Sequence, residues 1–291
     1  MNWSRVSAIA LVALAVIVSF ISTTTFGQGG KGGSAQYVGA EACKQCHGDI
    51  YDGFKKWDPH WKNLRKESAQ NGKKGCEACH GPGSKHAEAE GKGFILSFKG
   101  DNAKTNSDAC LSCHEKQKNF SQFVRSIHKL SAVGCNECHQ VHGAAMGRKL
   151  LKEKEVDLCF SCHHDVKSSF YLANSHKVLQ GAVKCSDCHT PHGSRERASL
   201  RKTSTSAKYE ACFKCHPEKK GPWVYEHLSQ KNEGCTICHV PHGSTNRFLL
   251  TRRDIKTLCA ECHGRMHFPN QACINCHTQI HGSNFSSRFL Q

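Results

Sequence analysis

Apolar residues are gathered at one end of this chain and thinly spread through the rest. Val6 to Ile21 form a stretch dominated by Ala, Val, Leu and Ile, preceded by the short basic start Met1–Arg5. Ser22, Thr23, Thr24, Thr25 and Gly27 follow, which is the order of a secretory signal peptide covering residues 1–27, with cleavage after Gly27. The run is shorter than the roughly 20 residues a spanning helix needs. No cysteine marks the junction as a lipid-attachment site, and no later segment reads as a membrane span. Residues 28–36, rich in Gly, read as a flexible leader. Beyond it the pattern is polar, and the mean hydropathy of the whole chain is −0.54. Small apolar clusters recur: Leu150 and Leu151 between His142 and Cys159, and Leu249 and Leu250 between His242 and Cys259, both intervals spanning 17 residues. They read as short helices or turns. The chain of 291 residues lacks the aliphatic content for one or two conventional cores, so something besides side chains must fill the interior.

Cysteine spacing says what that is. All 20 Cys fall in Cys-x-x-Cys pairs, and each pair is followed at once by His. The attachment cysteines are Cys43 and Cys46, Cys76 and Cys79, Cys110 and Cys113, Cys135 and Cys138, and Cys159 and Cys162. The second half adds Cys185 and Cys188, Cys212 and Cys215, Cys235 and Cys238, Cys259 and Cys262, and Cys273 and Cys276. The motif histidines are His47, His80, His114, His139, His163, His189, His216, His239, His263 and His277. On one helical turn, positions i, i+3 and i+4 share a face. Two thiols can therefore form thioethers to one haem while the His reaches its iron as proximal ligand. Zinc sites do not require a His after every pair, and disulfides do not require the pairing at all. Ten c-type haems are the expected cofactors.

The sixth ligand of each iron separates electron transfer from catalysis. Eleven of the 21 His lie outside the motifs. The chain reads as five two-haem units, about 37–109, 110–158, 159–211, 212–258 and 259–291. Each has one His before its second motif (His60, His128, His176, His227 and His267) and one after it (His86, His142, His192, His242 and His281). In three units the latter sits in Cys-His-x-x-His-Gly: Cys138–Gly143, Cys188–Gly193 and Cys238–Gly243, with Pro191 and Pro241 before the His in two of them. Unit five is one residue longer there, and in unit one His86 lies six residues after His80. These ten His are the candidate distal ligands, and which serves which haem is not legible from spacing. His164, directly after His163, reads as a surface residue, and Met146 and Met266 as packing residues. Iron held by two His lacks the potential-raising axial Met, so most centres are expected to have low potentials.

The first cysteines of units two to five stand 49, 53 and 47 residues apart, an internal repeat. The interval from Cys43 to Cys110 is 67 residues, so unit one carries an insertion around Gly91–Thr105. About 26 residues are available per haem, so the porphyrins must crowd together and replace the core. The expected fold is that of a multihaem cytochrome c: short α-helices and irregular loops around a closely packed haem chain, with almost no β-structure and an elongated shape. Formal charge is +16. Propionates and ferric irons bring the oxidised protein to about +5, so Lys and Arg read as propionate partners rather than a nucleic-acid surface. Trp57, Trp61 and Trp223, near His60 and His227, are expected to pack on haem.

These ten motifs, the three Cys-His-x-x-His-Gly elements, the signal peptide and the modest length resemble the periplasmic decahaem cytochromes of the Mtr and Dms type over essentially the whole mature chain. The resemblance implies an extended haem wire and a non-enzymatic electron carrier. It implies electrons taken from an inner-membrane or periplasmic donor and passed through an outer-membrane β-barrel porin to an outward-facing cytochrome or reductase. Two other functions stay open from the residues alone. A multihaem reductase of a small oxyanion would need an open iron position, and a subunit of an extracellular cytochrome filament would assemble with copies of itself.

Overall fold

A computed structural model describes residues 33–64, 75–100, 102–117, 120–143, 149–201, 210–264, 267 and 270–290. The signal peptide, most of the Gly-rich leader, Met146 and Met266 lie outside these residues, as does the side chain of Trp57.

Short helices form where the Cys-x-x-Cys-His turns demand them and end soon after. In nine motifs the His N–H donates to the carbonyl of the first Cys, four residues back, at 2.9–3.1 Å, as in His47 to Cys43 and His277 to Cys273. The tenth, His114, ends the helix Ala103–His114, whose start is capped by the Asn102 side chain accepting from the Thr105 N–H. Every attachment motif is thus one helical turn, which is the geometry that brings i, i+3 and i+4 together. Apart from Ala103–His114 and the ten-residue helix Gly48–Trp57, the helices run to six residues or fewer among the described residues.

Strands are absent among the described residues, where β-pairing is limited to isolated bridges. Three of these bridges are one device repeated: His139 with Leu151, His189 with Leu200, and His239 with Leu250. The leucine clusters therefore close a loop back onto the second motif of their unit, through hydrogen bonds such as Val240 N–H to Leu249 O at 2.7 Å and Thr251 N–H to Cys238 O at 2.9 Å. Two further bridges, Asn174 with Ser244 and Tyr225 with Ser283, join the segment before one unit's second motif to the segment after the next unit's. The main contacts between elements include those that bring the two motifs of one unit together, such as Ala103–His114 with Cys135–Cys138 and Glu155–Phe160 with Cys185–Cys188. Side chains alone form only small cores. Among the described residues one such core gathers Phe160, Phe170 and Val178 with Val156, Val166, Leu179 and Val183.

Candidate haem sites

The fold draws each motif His opposite one other His, and the two sets match one to one. Ring centroids of the motif histidines and their opposites lie 5.8–6.4 Å apart. The pairs in chain order are His47 with His86, His80 with His142, His114 with His60, His139 with His192, and His163 with His128. They continue with His189 and His242, His216 and His176, His239 and His281, His263 and His227, and His277 and His267. Each of the ten non-motif candidates is used once. His164 is exposed, in the first turn of the helix His164–Ser169.

The separations fit an iron between the rings. Two bonds of about 2 Å from metal to imidazole nitrogen, plus about 1.1 Å from each nitrogen to its ring centre, place the centroids about 6.2 Å apart. A direct hydrogen bond between the rings would draw them closer.

Partner choice follows a rule that spacing did not disclose. A His before a unit's second motif faces the first motif of the next unit: His60 to His114, His128 to His163, His176 to His216 and His227 to His263. A His after a second motif faces the second motif of the preceding unit: His142 to His80, His192 to His139, His242 to His189 and His281 to His239. Only the ends close on themselves, His86 with His47 and His267 with His277. In units three to five the Asn174–Ser244 and Tyr225–Ser283 bridges join the segments that carry these crossed arms.

Glycine permits the crossing. Gly243 follows His242, and a Cβ there would overlap the Ser169 carbonyl. At Gly193 (φ +89) a Cβ would lie 2.8 Å from both the Gln122 carbonyl oxygen and the Ser126 Cβ. Two of the three Cys-His-x-x-His-Gly elements thus place their Gly at a close approach between units, whereas a Cβ at Gly143 would meet only Gln140 of its own unit, at 3.0 Å.

A second layer of contacts orients the rings. The Nδ1–H of His80 donates to Leu96 O (2.7 Å), His139 to Lys149 O (2.8 Å), His189 to Ala198 O (2.8 Å), His239 to Phe248 O (2.8 Å) and His277 to Arg288 O (2.6 Å). All five second-motif histidines are thus held by a carbonyl from the segment that follows them. Among the opposite set, His86 donates to Gly93 O, His128 to Pro191 O and His176 to Pro241 O. A proton fixed on Nδ1 leaves Nε2 as the free lone pair, as a metal-bound imidazole requires. Burial, then the facing imidazole, pushes His142, His192 and His242 down, His192 to about 4, so these rings are neutral at neutral pH, the form an imidazole needs to hold a metal.

The insertion in unit one has a use that composition did not suggest: it supplies Leu96 O and Gly93 O, and Phe98 lies edge-on to His80 at 5.2 Å. Three of the other carbonyls, those of Lys149, Ala198 and Phe248, fall inside an Arg-x-x-Leu repeat, Arg148–Leu151, Arg197–Leu200 and Arg247–Leu250, of which only the leucine pairs of the outer two copies stood out. Trp61 packs on Tyr51 and Phe54, and Phe54 in turn lies edge-on to His142 at 6.0 Å. Trp223 lines a cavity of about 300 Å³ with Gln279, Ser283, Asn284, Phe285 and Leu290.

The thiols follow the same order. Within each unit the first cysteines of the two motifs meet: Cys43 and Cys76, Cys110 and Cys135, Cys159 and Cys185, Cys212 and Cys235, Cys259 and Cys273. Between units the second cysteines approach closely enough to raise a neighbour's pKa, as Cys113 does for Cys79 and Cys162 for Cys138, although burial is the larger cause in both.

Paired Cys-x-x-Cys-His turns with facing histidines define a multihaem c-type cytochrome. The sequence model of the doubled CXXCH motif matches residues 128–168, 176–221 and 227–268. Each segment starts at a His that faces the last motif within it, so the crossed pairs become internal in that frame. The chain is also 35% identical over 280 residues to the multiheme cytochrome MtrA of Shewanella baltica (strain OS185), covering 87% of this chain and 81% of that protein. The chain belongs to the MtrA-type multihaem cytochromes, carriers of electrons on c-type haem. No helix among the described residues is long and apolar enough to cross a membrane.

Proposed function

We propose that the chain holds ten haems, one per motif, and relays electrons along them in sequence order across the periplasm toward an outer-membrane porin–cytochrome conduit for extracellular respiration. The observation that carries this reading is the one-to-one facing of ten motif histidines by ten others. When bound, haem supplies a one-electron couple at each position. The chain's own residues do the rest. Paired cysteines would fix each porphyrin to a helical turn, and the two facing imidazoles would supply the protein ligands of its iron. Where a carbonyl accepts the Nδ1–H, as for all five second-motif histidines, it would hold the ring still while the iron changes charge. The alternation of first-cysteine contacts within units and second-cysteine approaches between units supports a single file from the Cys43 motif to the Cys273 motif. Donor and acceptor then dock at opposite ends of the file, where the ligation closes on itself. Cleavage after Gly27, a mature chain of five units and the absence of a nucleic-acid role belong to the same reading.

The test is reconstitution with an outer-membrane porin of this class in liposomes. Reduction of an enclosed acceptor by an external donor, dependent on this chain, is expected. A chain with full haem content that never associates with the porin, and reduces only an acceptor free in solution, would replace the conduit with a diffusing shuttle.

A further inference from the structure

One paired histidine departs from the pattern of the others. Among the histidines that face the next unit, His128 and His176 donate from Nδ1 to the carbonyls of Pro191 and Pro241, and His227 bonds the backbone of Ile280. His60 instead donates to a carboxylate, Asp58 Oδ1, at 2.7 Å, and the same oxygen accepts the His60 backbone N–H at 2.7 Å. The Asp58 side chain is 2% exposed. The positions two residues before the other three are Ser126, Asn174 and Tyr225, none of them acidic. His216 has Glu218 at 3.8 Å, beyond hydrogen-bond reach and well exposed. On the other side of the His60 pair, His114 Nδ1 is buried without a hydrogen-bond partner among the described residues. The pair also has the most nearly perpendicular rings, at 88°.

A carboxylate on the outer nitrogen of a metal-bound imidazole raises the ligand's basicity, and a buried negative charge near an iron is poorly screened. Both effects favour the ferric state. We propose that Asp58 is a positioning residue for His60 and lowers the midpoint potential of the haem at Cys110 and Cys113 below those closed by His128, His176 and His227. The inference rests on the reading that His60 and His114 share an iron. Asp58 also exerts its charge on His142 and Cys79, which belong to the preceding haem, so the low step lies at the junction between units one and two. The single file is then uneven: an electron crossing it meets a less favourable centre at its third position.

The experiment is spectroelectrochemistry with electron paramagnetic resonance on the full holoprotein, wild type against Asp58→Asn and Asp58→Glu. Nearly perpendicular axial rings give a strongly anisotropic low-spin ferric signal, which makes this haem traceable. In Asp58→Asn that signal should reappear at higher potential, its reduced-to-oxidised ratio raised about tenfold at a fixed potential, which is about 59 mV for one electron. Asp58→Glu should restore much of the wild-type value. An unchanged midpoint with full haem content and an intact low-spin signal would overturn the role of Asp58 and leave the ligand assignment standing. A high-spin third haem in the wild type would overturn both. If Asp58→Asn loses haem, the Asp58→Glu protein decides: a midpoint equal to the other three in a low-spin centre refutes the proposal.

Discussion

Replacing Gly243 by Ala probes the crossing of units most sharply. The new Cβ would overlap the Ser169 carbonyl, a backbone group that cannot rotate aside. The loop carrying His242 must retreat by roughly 1 Å, which stretches both hydrogen bonds of the Asn174–Ser244 bridge (now 3.0 and 2.8 Å) toward the limit of useful length. Two such bonds are worth about 2 kcal/mol together, and forcing an added carbon into a close contact costs about 1–3 kcal/mol. A loss of about 3–5 kcal/mol is therefore expected. Because His242 adjoins Gly243, the damage should fall on the iron opposite His189, 5.9 Å away between ring centres. Chemical unfolding measures the stability, and electron paramagnetic resonance measures spin state. The expected result is a lowered midpoint and high-spin iron equal to about one haem in ten. Gly53→Ala is the control: the position lies inside a helix with nothing within 4 Å of the added carbon, and should gain about 0.5–1 kcal/mol. A Gly243→Ala protein as stable as wild type, with every iron low-spin, would refute the close approach and the crossed arms with it.

Other outcomes follow from the same contacts. His227→Ala should open the iron at the Cys259 motif in unit five and leave its own unit's haems six-coordinate. Haem-resolved ligand binding with carbon monoxide checks this, and an opened Cys235 haem would contradict it. Glu77 is 2% exposed and accepts N–H bonds from Val38, Gly39 and Gly83 at 2.8–2.9 Å. Glu77→Ala orphans these donors and should cost about 3 kcal/mol, read as earlier unfolding and proteolysis of the segment before Cys43, whereas Glu77→Gln, keeping one acceptor oxygen, should cost less. Ser126 caps the short helix Ile127–Leu130, accepting from the Lys129 N–H at 3.1 Å. Ser126→Ala should lose about 1 kcal/mol and loosen His128, seen as partial high-spin iron at the Cys159 motif.

The motif turns were legible in the sequence because their chemistry is local: positions i, i+3 and i+4 place the cysteines and the motif His on one turn. The second set of ten could be counted, since recurrence is visible in one dimension. Their pairing was not legible, because His142 reaches His80 across 62 residues through a contact between units that no spacing encodes. The division into two-haem units obscured it further: framed from His128, His176 or His227 instead, each of these pairs with a motif in its own segment. The carbonyls on Nδ1 left a partial trace in Arg-x-x-Leu, but backbone groups have no side-chain signature. Nothing in composition distinguished the insertion of unit one from a linker, although it holds His80 and His86. Asp58 was one acidic residue among 24 until its hydrogen bond to His60 set it apart.

The central claim is that ten irons each sit between two histidines, leaving no open site along the file. Near-infrared magnetic circular dichroism of the fully oxidised holoprotein, normalised to haem content, counts axial ligand pairs directly. Ten haems per chain, all low-spin with paired histidine ligands, is the expected result. High-spin iron or His–Met ligation amounting to one haem or more in the wild-type chain would contradict it.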